Sequence, residues 1–184
     1  VFGHKGIQIW EVDARRLLET IPVDIQMTTS FSPAQLVIFS PDGKYLAYAV
    51  GDSVSVWAIA QRQTTLELTN EEEITTIAFQ PNRPALAVGA IGINLIFWDV
   101  TTGERLSQID TIAPHPKLIR FSPDGTLLAV GTNDNAVRLF EMIPEDKRDL
   151  FVLQTAELED LGFTLDGQYL LVGEGNGCLR GVQI

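Results

Sequence analysis

The sequence has 184 residues, of which 45% are hydrophobic and 20% are charged, and its formal net charge is −11 with a pI near 4.5. This charge repels phosphate backbones and anionic lipids, so we expect neither nucleic acid nor a membrane surface as a partner. No apolar run approaches the roughly 20 residues that a membrane-spanning helix needs.

The first residues predict the end of a strand-rich unit. Ile7 to Val12 has the composition of a strand, and Arg15 to Ile21 predicts a second strand that returns beside it. The segment from Pro22 to Gln35 is a longer, polar connection that contains Phe31. After it, the sequence predicts four strands in each of three units and three strands in the last.

A turn pattern recurs along these units and defines a repeat. The copies are FSPDG at 39–43, FQPNR at 79–83, FSPDG at 121–125 and FTLDG at 163–167. Their phenylalanines are 40, 42 and 42 residues apart. Asp-Gly favours a tight turn because glycine accepts positive φ without steric cost. A period in the low forties, with several short strands in each unit, is typical of a blade array.

The third strand of each unit repeats in step with the turns. The copies are IQIWEV around Trp10, VSVWAI around Trp57, LIFWDV around Trp98, VRLFEM around Phe140 and LRGVQI around Val182. The second and third strands are apolar at nearly every position, so we expect protein to cover both faces of each sheet. Burying one aromatic anchor contributes roughly 2–3 kcal/mol, so apolar packing is sufficient to hold such blades together.

These repeats resemble those of WD40-repeat β-propellers, most closely at Trp98-Asp99. The resemblance implies an all-β chain of about four blades plus a partial blade, within a ring of about seven. The units would be 1–21 (partial), 22–68, 69–109, 110–154 and 155–184, the last without its outer strand.

On this interpretation the chain is the C-terminal part of a longer protein, and its end blades expose apolar faces. The remaining blades of the full-length chain, or self-association, would cover those faces. A ring of four blades closed on itself is the alternative.

Loops that join the outer strand of one blade to the inner strand of the next lie on one face of such propellers, where partners often dock. Acidic residues recur in all four of these loops, and a negative rim attracts a basic peptide or a cation. The candidate partner-binding residues are Asp24, Phe31, Glu71, Glu72, Glu73, Asp110, Glu157, Glu159 and Asp160. The alternatives are ordinary solvated loops and, for Phe31, a side chain folded over the blade edge.

The sequence contains no recognisable catalytic constellation. His4 and His115 have no cysteine or second histidine at metal-ligand spacing, and neither a nucleophile elbow nor a phosphate-binding loop occurs. We therefore predict a noncatalytic scaffold or sensor module that binds a partner protein or peptide and uses no cofactor or metal. The alternative is a metal-dependent propeller hydrolase or lactonase with carboxylates at the channel mouth.

The single cysteine gives information on the cellular compartment of the protein. Cys178 cannot form an internal disulfide, and its position at the start of a final strand predicts a buried thiol. This cysteine usage is compatible with a cytoplasmic location.

Overall fold

The computed structural model describes residues 6–23, 36–92, 95–110, 115–143 and 146–184, and the regular structure in these ranges is entirely β-strand. None of these residues forms a helix long and apolar enough to cross a membrane. The chain separates into two compact units, Val1–Ser32 and Pro33–Ile184. Each unit is described by itself.

The first unit contains an antiparallel pair, β1 (Gly6–Glu11) and β2 (Arg16–Pro22). The pairing shifts register between Ile9 and Trp10, which marks a β-bulge. Ile9 and Ile21 are buried, whereas Trp10 is 55% exposed. The anchor aromatic of this pair, Trp10, is therefore not buried.

The second unit contains four antiparallel sheets, which we call blades 1 to 4 in chain order. Blades 1 to 3 have four strands and blade 4 has three, in agreement with the strand numbers predicted from the repeat. Blade 1 consists of β3 (Leu36–Phe39), β4 (Tyr45–Val50), β5 (Ser53–Ala58) and β6 (Gln63–Thr69). Blade 2 consists of β7 (Ile74–Phe79), β8 (Ala85–Ala90), β9 (Leu95–Asp99) and β10 (Arg105–Ile109). Blade 3 consists of β11 (Pro116–Phe121), β12 (Leu127–Thr132), β13 (Ala136–Ile143) and β14 (Asp146–Gln154), and blade 4 of β15 (Leu158–Phe163), β16 (Tyr169–Glu174) and β17 (Leu179–Gln183).

The first strand of each blade contacts the first strand of the next, so these strands are the inner ones. Their direction defines two edges of the unit. The loop edge, where inner strands begin, contains residues 70–73, 110, 115 and 155–157. The turn edge, where inner strands end, contains residues 40–44, 80–84, 122–126 and 164–168.

Apolar packing between neighbouring blades forms the core, in three clusters that follow the three junctions. The central strand β8 is buried at every residue, as a strand covered on both faces should be. At the last blade, however, Leu179 is 70% exposed, whereas Val137 at the same repeat position of blade 3 is fully buried. At the first blade, Phe39 is 57% exposed and its equivalent Phe79 only 7%. The second unit therefore presents an apolar face at each end.

The other aromatic anchors and the cysteine differ in exposure. Phe140 is buried, while Trp57 and Trp98 are half-buried. Cys178 is exposed, which corrects the predicted buried thiol. The reason is that it follows the turn of blade 4 and enters β17, a strand with no buried residue.

Close approach between blades requires a small residue on the second strand. A Cβ at Gly89 would lie 2.8 Å from Pro116 Cγ, and one at Gly131 would collide with the Leu158 side chain. At Gly173, the same position in blade 4, a Cβ would meet only Asp160 of its own blade, at 3.7 Å. The glycine thus admits the first residue of the next inner strand.

We expect Gly131→Ala to destabilise the protein by about 1–3 kcal/mol, because the buried Leu158 must move to admit the methyl group. Gly173→Ala is the matched control and should cost less than about 0.5 kcal/mol, since its Cβ meets only ordinary contacts. Urea unfolding of both variants measures the difference. Equal losses would contradict the packing argument.

The turn edge is stabilised by a repeated side-chain arrangement. In blade 1, Ser40 Oγ donates to Asp42 Oδ1 at 2.7 Å, and the Lys44 N–H donates to the same oxygen at 3.1 Å. The Tyr45 N–H donates to Ser40 Oγ at 2.9 Å. The hydrogen bond from Ser40, followed by those from Lys44, lowers the pKa of Asp42 from 3.8 to about 2. Equivalent bonds from Ser122 and Thr164 lower the pKa values of Asp124 and Asp166.

Because folding lowers this pKa, the carboxylate of Asp42 stabilises the fold above the unfolded value and ceases to do so as pH falls through the folded value. We expect Asp42→Asn to cost about 1 kcal/mol at neutral pH. The cost should shrink as pH falls from 3.8 to about 2. Urea unfolding across this range tests the prediction, with Asp149→Asn, an exposed carboxylate on β14, as control. A cost that is independent of pH would contradict it.

Candidate partner-binding site

The loop edge has a regular backbone. In blades 2 to 4, the carbonyl of the residue that precedes the inner strand accepts an N–H from the turn between the second and third strands. The acceptors are Glu73, His115 and Glu157, and the donors are Ile91, Asn133 and Gly175, at 3.0, 3.2 and 2.9 Å. The side chains of these three acceptor residues therefore occupy equivalent places on successive blades.

The predicted binding residues in the loops lie on this edge. Glu71 and Glu72 are exposed and Glu73 is half-buried, directly before β7. Asp110 follows β10 and is exposed, and it accepts a hydrogen bond from Gln108 at 3.0 Å. Glu157 is exposed beside Gly175, where a Cβ would collide with its carboxylate. Asp24 and Phe31 lie outside the described residues.

Two predicted residues lie in a strand instead of a loop. Glu159 and Asp160 belong to β15, which begins at Leu158 because that residue pairs with Glu174. The register shifts between Leu158 and Asp160, which places Glu159 at a bulge. Both residues are exposed.

Basic side chains divide the acidic edge. Arg120 Nη2 of blade 3 forms an ion pair with Asp160 Oδ1 at 3.2 Å. Lys117, at the bulge position equivalent to Glu159, donates from Nζ to the Leu158 carbonyl of blade 4. Neither cation is among the residues predicted from the sequence. The repeat could have indicated Lys117, because this residue precedes Glu159 by one period of 42 residues.

The same bulge position links the two preceding blades. Thr75, at the bulge of β7, donates from Oγ1 to the Pro116 carbonyl of blade 3 at 2.5 Å. His115 adds a second link, since its Nδ1 accepts the Gly92 N–H of blade 2 at 3.1 Å. The loop edge is thus continuous from blade 2 to blade 4, and its acidic side chains stand on a fixed backbone.

Asn135 fixes the start of β15. Its Oδ1 accepts the Leu158 N–H at 3.1 Å, and its carbonyl accepts both the N–H and the hydroxyl of Thr155, at 2.9 and 2.7 Å. The residue has a positive φ of 59°, which asparagine tolerates better than most residues. Asn135 therefore positions the acidic residues on either side of Leu158.

The described residues include no group of three or more histidine, cysteine, aspartate or glutamate side chains placed to hold a metal ion. The acidic side chains are instead distributed over three blades.

Comparison with known proteins agrees with this architecture. The family model of the WD domain, G-beta repeat, matches residues 107–141. Periodic tryptophan protein 2 homolog of Neurospora crassa is 25% identical over 158 residues, 74% of this chain and 17% of the relative. Serine-threonine kinase receptor-associated protein of Gallus gallus is 23% identical, over 74% of this chain and 37% of the relative. WD repeat-containing protein 90 of Mus musculus is 22% identical, over 94% of this chain and 9% of the relative.

The matched repeat, these relatives and the succession of blade sheets support a WD40-repeat family for this chain. The resemblance predicted from Trp98-Asp99 and the repeated turns is confirmed, as is the all-β fold class. The chain spans 37% or less of the length of each of these three relatives. A role in protein interaction is typical of the family.

We expect Asn135→Gly to destabilise the protein by about 1–3 kcal/mol, because the buried Leu158 N–H loses its acceptor while the backbone conformation stays allowed. Asn135→Asp keeps an acceptor oxygen and should cost much less. Amide hydrogen exchange at Leu158 and urea unfolding report the two effects. Faster exchange in the aspartate variant than in the glycine variant would contradict this role.

Proposed function

We propose that the chain is a noncatalytic interaction module whose loop edge binds a basic segment of a partner protein. The observation that carries this proposal is the placement of exposed carboxylates in the loops that precede the inner strands of blades 2 and 4. Glu71, Glu72 and Glu157 are exposed on a backbone fixed by the same hydrogen bond in each blade. The carboxylates of this edge are therefore spread over more than one blade, and hydrogen bonds hold the backbone that carries them.

The physical effect of this edge is mainly electrostatic. Exposed ion pairs contribute little singly, but several carboxylates of one sign steer a cationic partner and raise its association rate. Arg120 neutralises part of the charge of Asp160. The site therefore favours an extended basic segment whose charges are spaced to reach separate blades.

The likeness to known proteins supports a protein partner in preference to a small molecule. The printed name of the Gallus gallus relative states an association with a serine-threonine kinase receptor. The identity of 23% transfers no partner from that protein to this chain. What transfers is the general use of a blade array as a rigid platform.

The proposal also concerns the apolar faces at the two ends of the second unit. Phe39 and Leu179 are exposed where their equivalents in the neighbouring blade are buried. We propose that further blades of a longer chain cover these two faces, with association between copies as the competing outcome. Light scattering on the longest form of the protein that can be expressed would distinguish a monomer with covered faces from an assembly whose mass depends on concentration.

We expect Glu71→Gln combined with Glu72→Gln to weaken binding of a fluorescein-labelled, lysine-rich peptide roughly fivefold, because two exposed carboxylates are lost from one loop. Fluorescence anisotropy measures the affinity, and added salt should weaken binding further.

The control is Glu104→Gln combined with Asp149→Asn, which removes the same charge from exposed sites away from the loop edge. Equal weakening by both pairs would show that only net charge matters and would overturn the site. No binding of the basic peptide at low salt would overturn the proposal as well.

A further inference from the structure

A cleft of about 620 Å³ opens on the turn edge between blades 1 and 2. This volume is within the range of about 300–1,000 Å³ that is usual for ligand sites. The lining is mixed, with apolar residues such as Phe79 beside polar ones, and its charged residues are Asp42, Lys44 and Arg83. The lining residues that matter below are Pro41, Lys44, Phe79, Arg83, Pro84 and Thr101.

An arginine stands in place of a glycine at this cleft. At the next junction, a Cβ on Gly125 would lie 2.7 Å from the Pro81 carbonyl oxygen, so the turn of blade 3 closes directly on blade 2. Arg83 stands at the same turn position in blade 2, facing Pro41 of blade 1. The positive φ moves to Asn82, at 62°.

The equivalent space at the next junction is filled by blade 2. Gln80 is buried and donates from Nε2 to the Gly125 carbonyl at 2.9 Å. Asn82 donates from Nδ2 to the Asp124 carbonyl at 3.4 Å. In blade 1 the residue equivalent to Gln80 is Ser40, whose short side chain bonds within its own turn. The junction of blades 1 and 2 therefore lacks the side chain that closes its neighbour.

The charge in the cleft is positive despite the acidic composition. Lys44 Nζ is paired with Asp42 Oδ2 at 2.9 Å. Arg83 is exposed and makes no hydrogen bond or ion pair with any residue that the structure describes. A guanidinium offers paired donors that match a carboxylate, and here they are available to a ligand. The net charge of −11 acts weakly at this site, because physiological salt screens exposed charges beyond about 8 Å.

We propose that this cleft binds an extended acidic peptide segment of a partner protein. A glutamate or aspartate carboxylate of the segment accepts hydrogen bonds from Arg83, and an adjoining apolar side chain packs between Pro41 and Pro84. The site is on the edge opposite the acidic loops and selects the opposite charge. It does not depend on the function proposed above.

The test uses a fluorescein-labelled peptide rich in glutamate and leucine, titrated with the full chain at physiological ionic strength, where the net charge is screened, and followed by anisotropy. Arg83→Gln should weaken binding about tenfold, since one carboxylate loses a charged, bidentate partner. Arg83→Lys, which keeps the charge, should restore part of the affinity. Arg148→Gln removes an exposed arginine from β14 of blade 3 and should change nothing.

Amide chemical shifts locate the peptide independently of any variant. The signals of Lys44, Arg83 and Thr101 should move on titration with the glutamate peptide, and should stay in place with a peptide in which glutamine replaces glutamate. Absence of binding, equal affinity for Arg83→Gln and the unchanged chain, or shifts confined to the loop edge would each overturn the proposal. Since the loop-edge test uses a basic peptide, the two proposals fail separately.

Discussion

The close contact between consecutive blades is the constraint on which the second unit depends. Two of the three junctions place the first residue of an inner strand against a glycine on the second strand of the preceding blade, as Pro116 does at Gly89 and Leu158 at Gly131, and blade 1 has Ala49 at this position. A side chain in place of either glycine would hold the sheets apart and expose the apolar clusters between them. Loss of that burial would remove the main stabilising contribution, since net hydrophobic stabilisation scales with apolar area.

Polar groups then fix the two edges of this packed array in different ways. On the turn edge, each carboxylate is held within its own turn, as Asp42 is by Ser40. On the loop edge, bonds run from one blade to the next, as from Lys117 to the Leu158 carbonyl. On the loop edge, Glu71, Glu72 and Glu157 are exposed.

The period of the sequence predicted the strands and their grouping because alternation and turn residues are local properties. Features that depend on contacts between blades are harder to predict from the sequence. Lys117 and Arg120 became relevant only when the inner strands were placed side by side. Glu159 and Asp160 were assigned to a loop because the sequence does not reveal that Asn135 bonds Leu158 and starts the strand there. Cys178 appeared buried because the missing cover of β17 is not a local property.

The residue at the bulge of the inner strand contacts the blade that follows it, so the junctions have a direction along the chain. Thr75 and Lys117 each donate to a backbone carbonyl of the following blade, an acceptor that is present whatever the side chain there. Glu159 occupies this position in blade 4, and an ionised carboxylate has no proton to donate. Duplication of blade 4 would therefore not reproduce the junction, whereas duplication of blade 2 or blade 3 would. A blade that follows blade 4 would need another donor at this position.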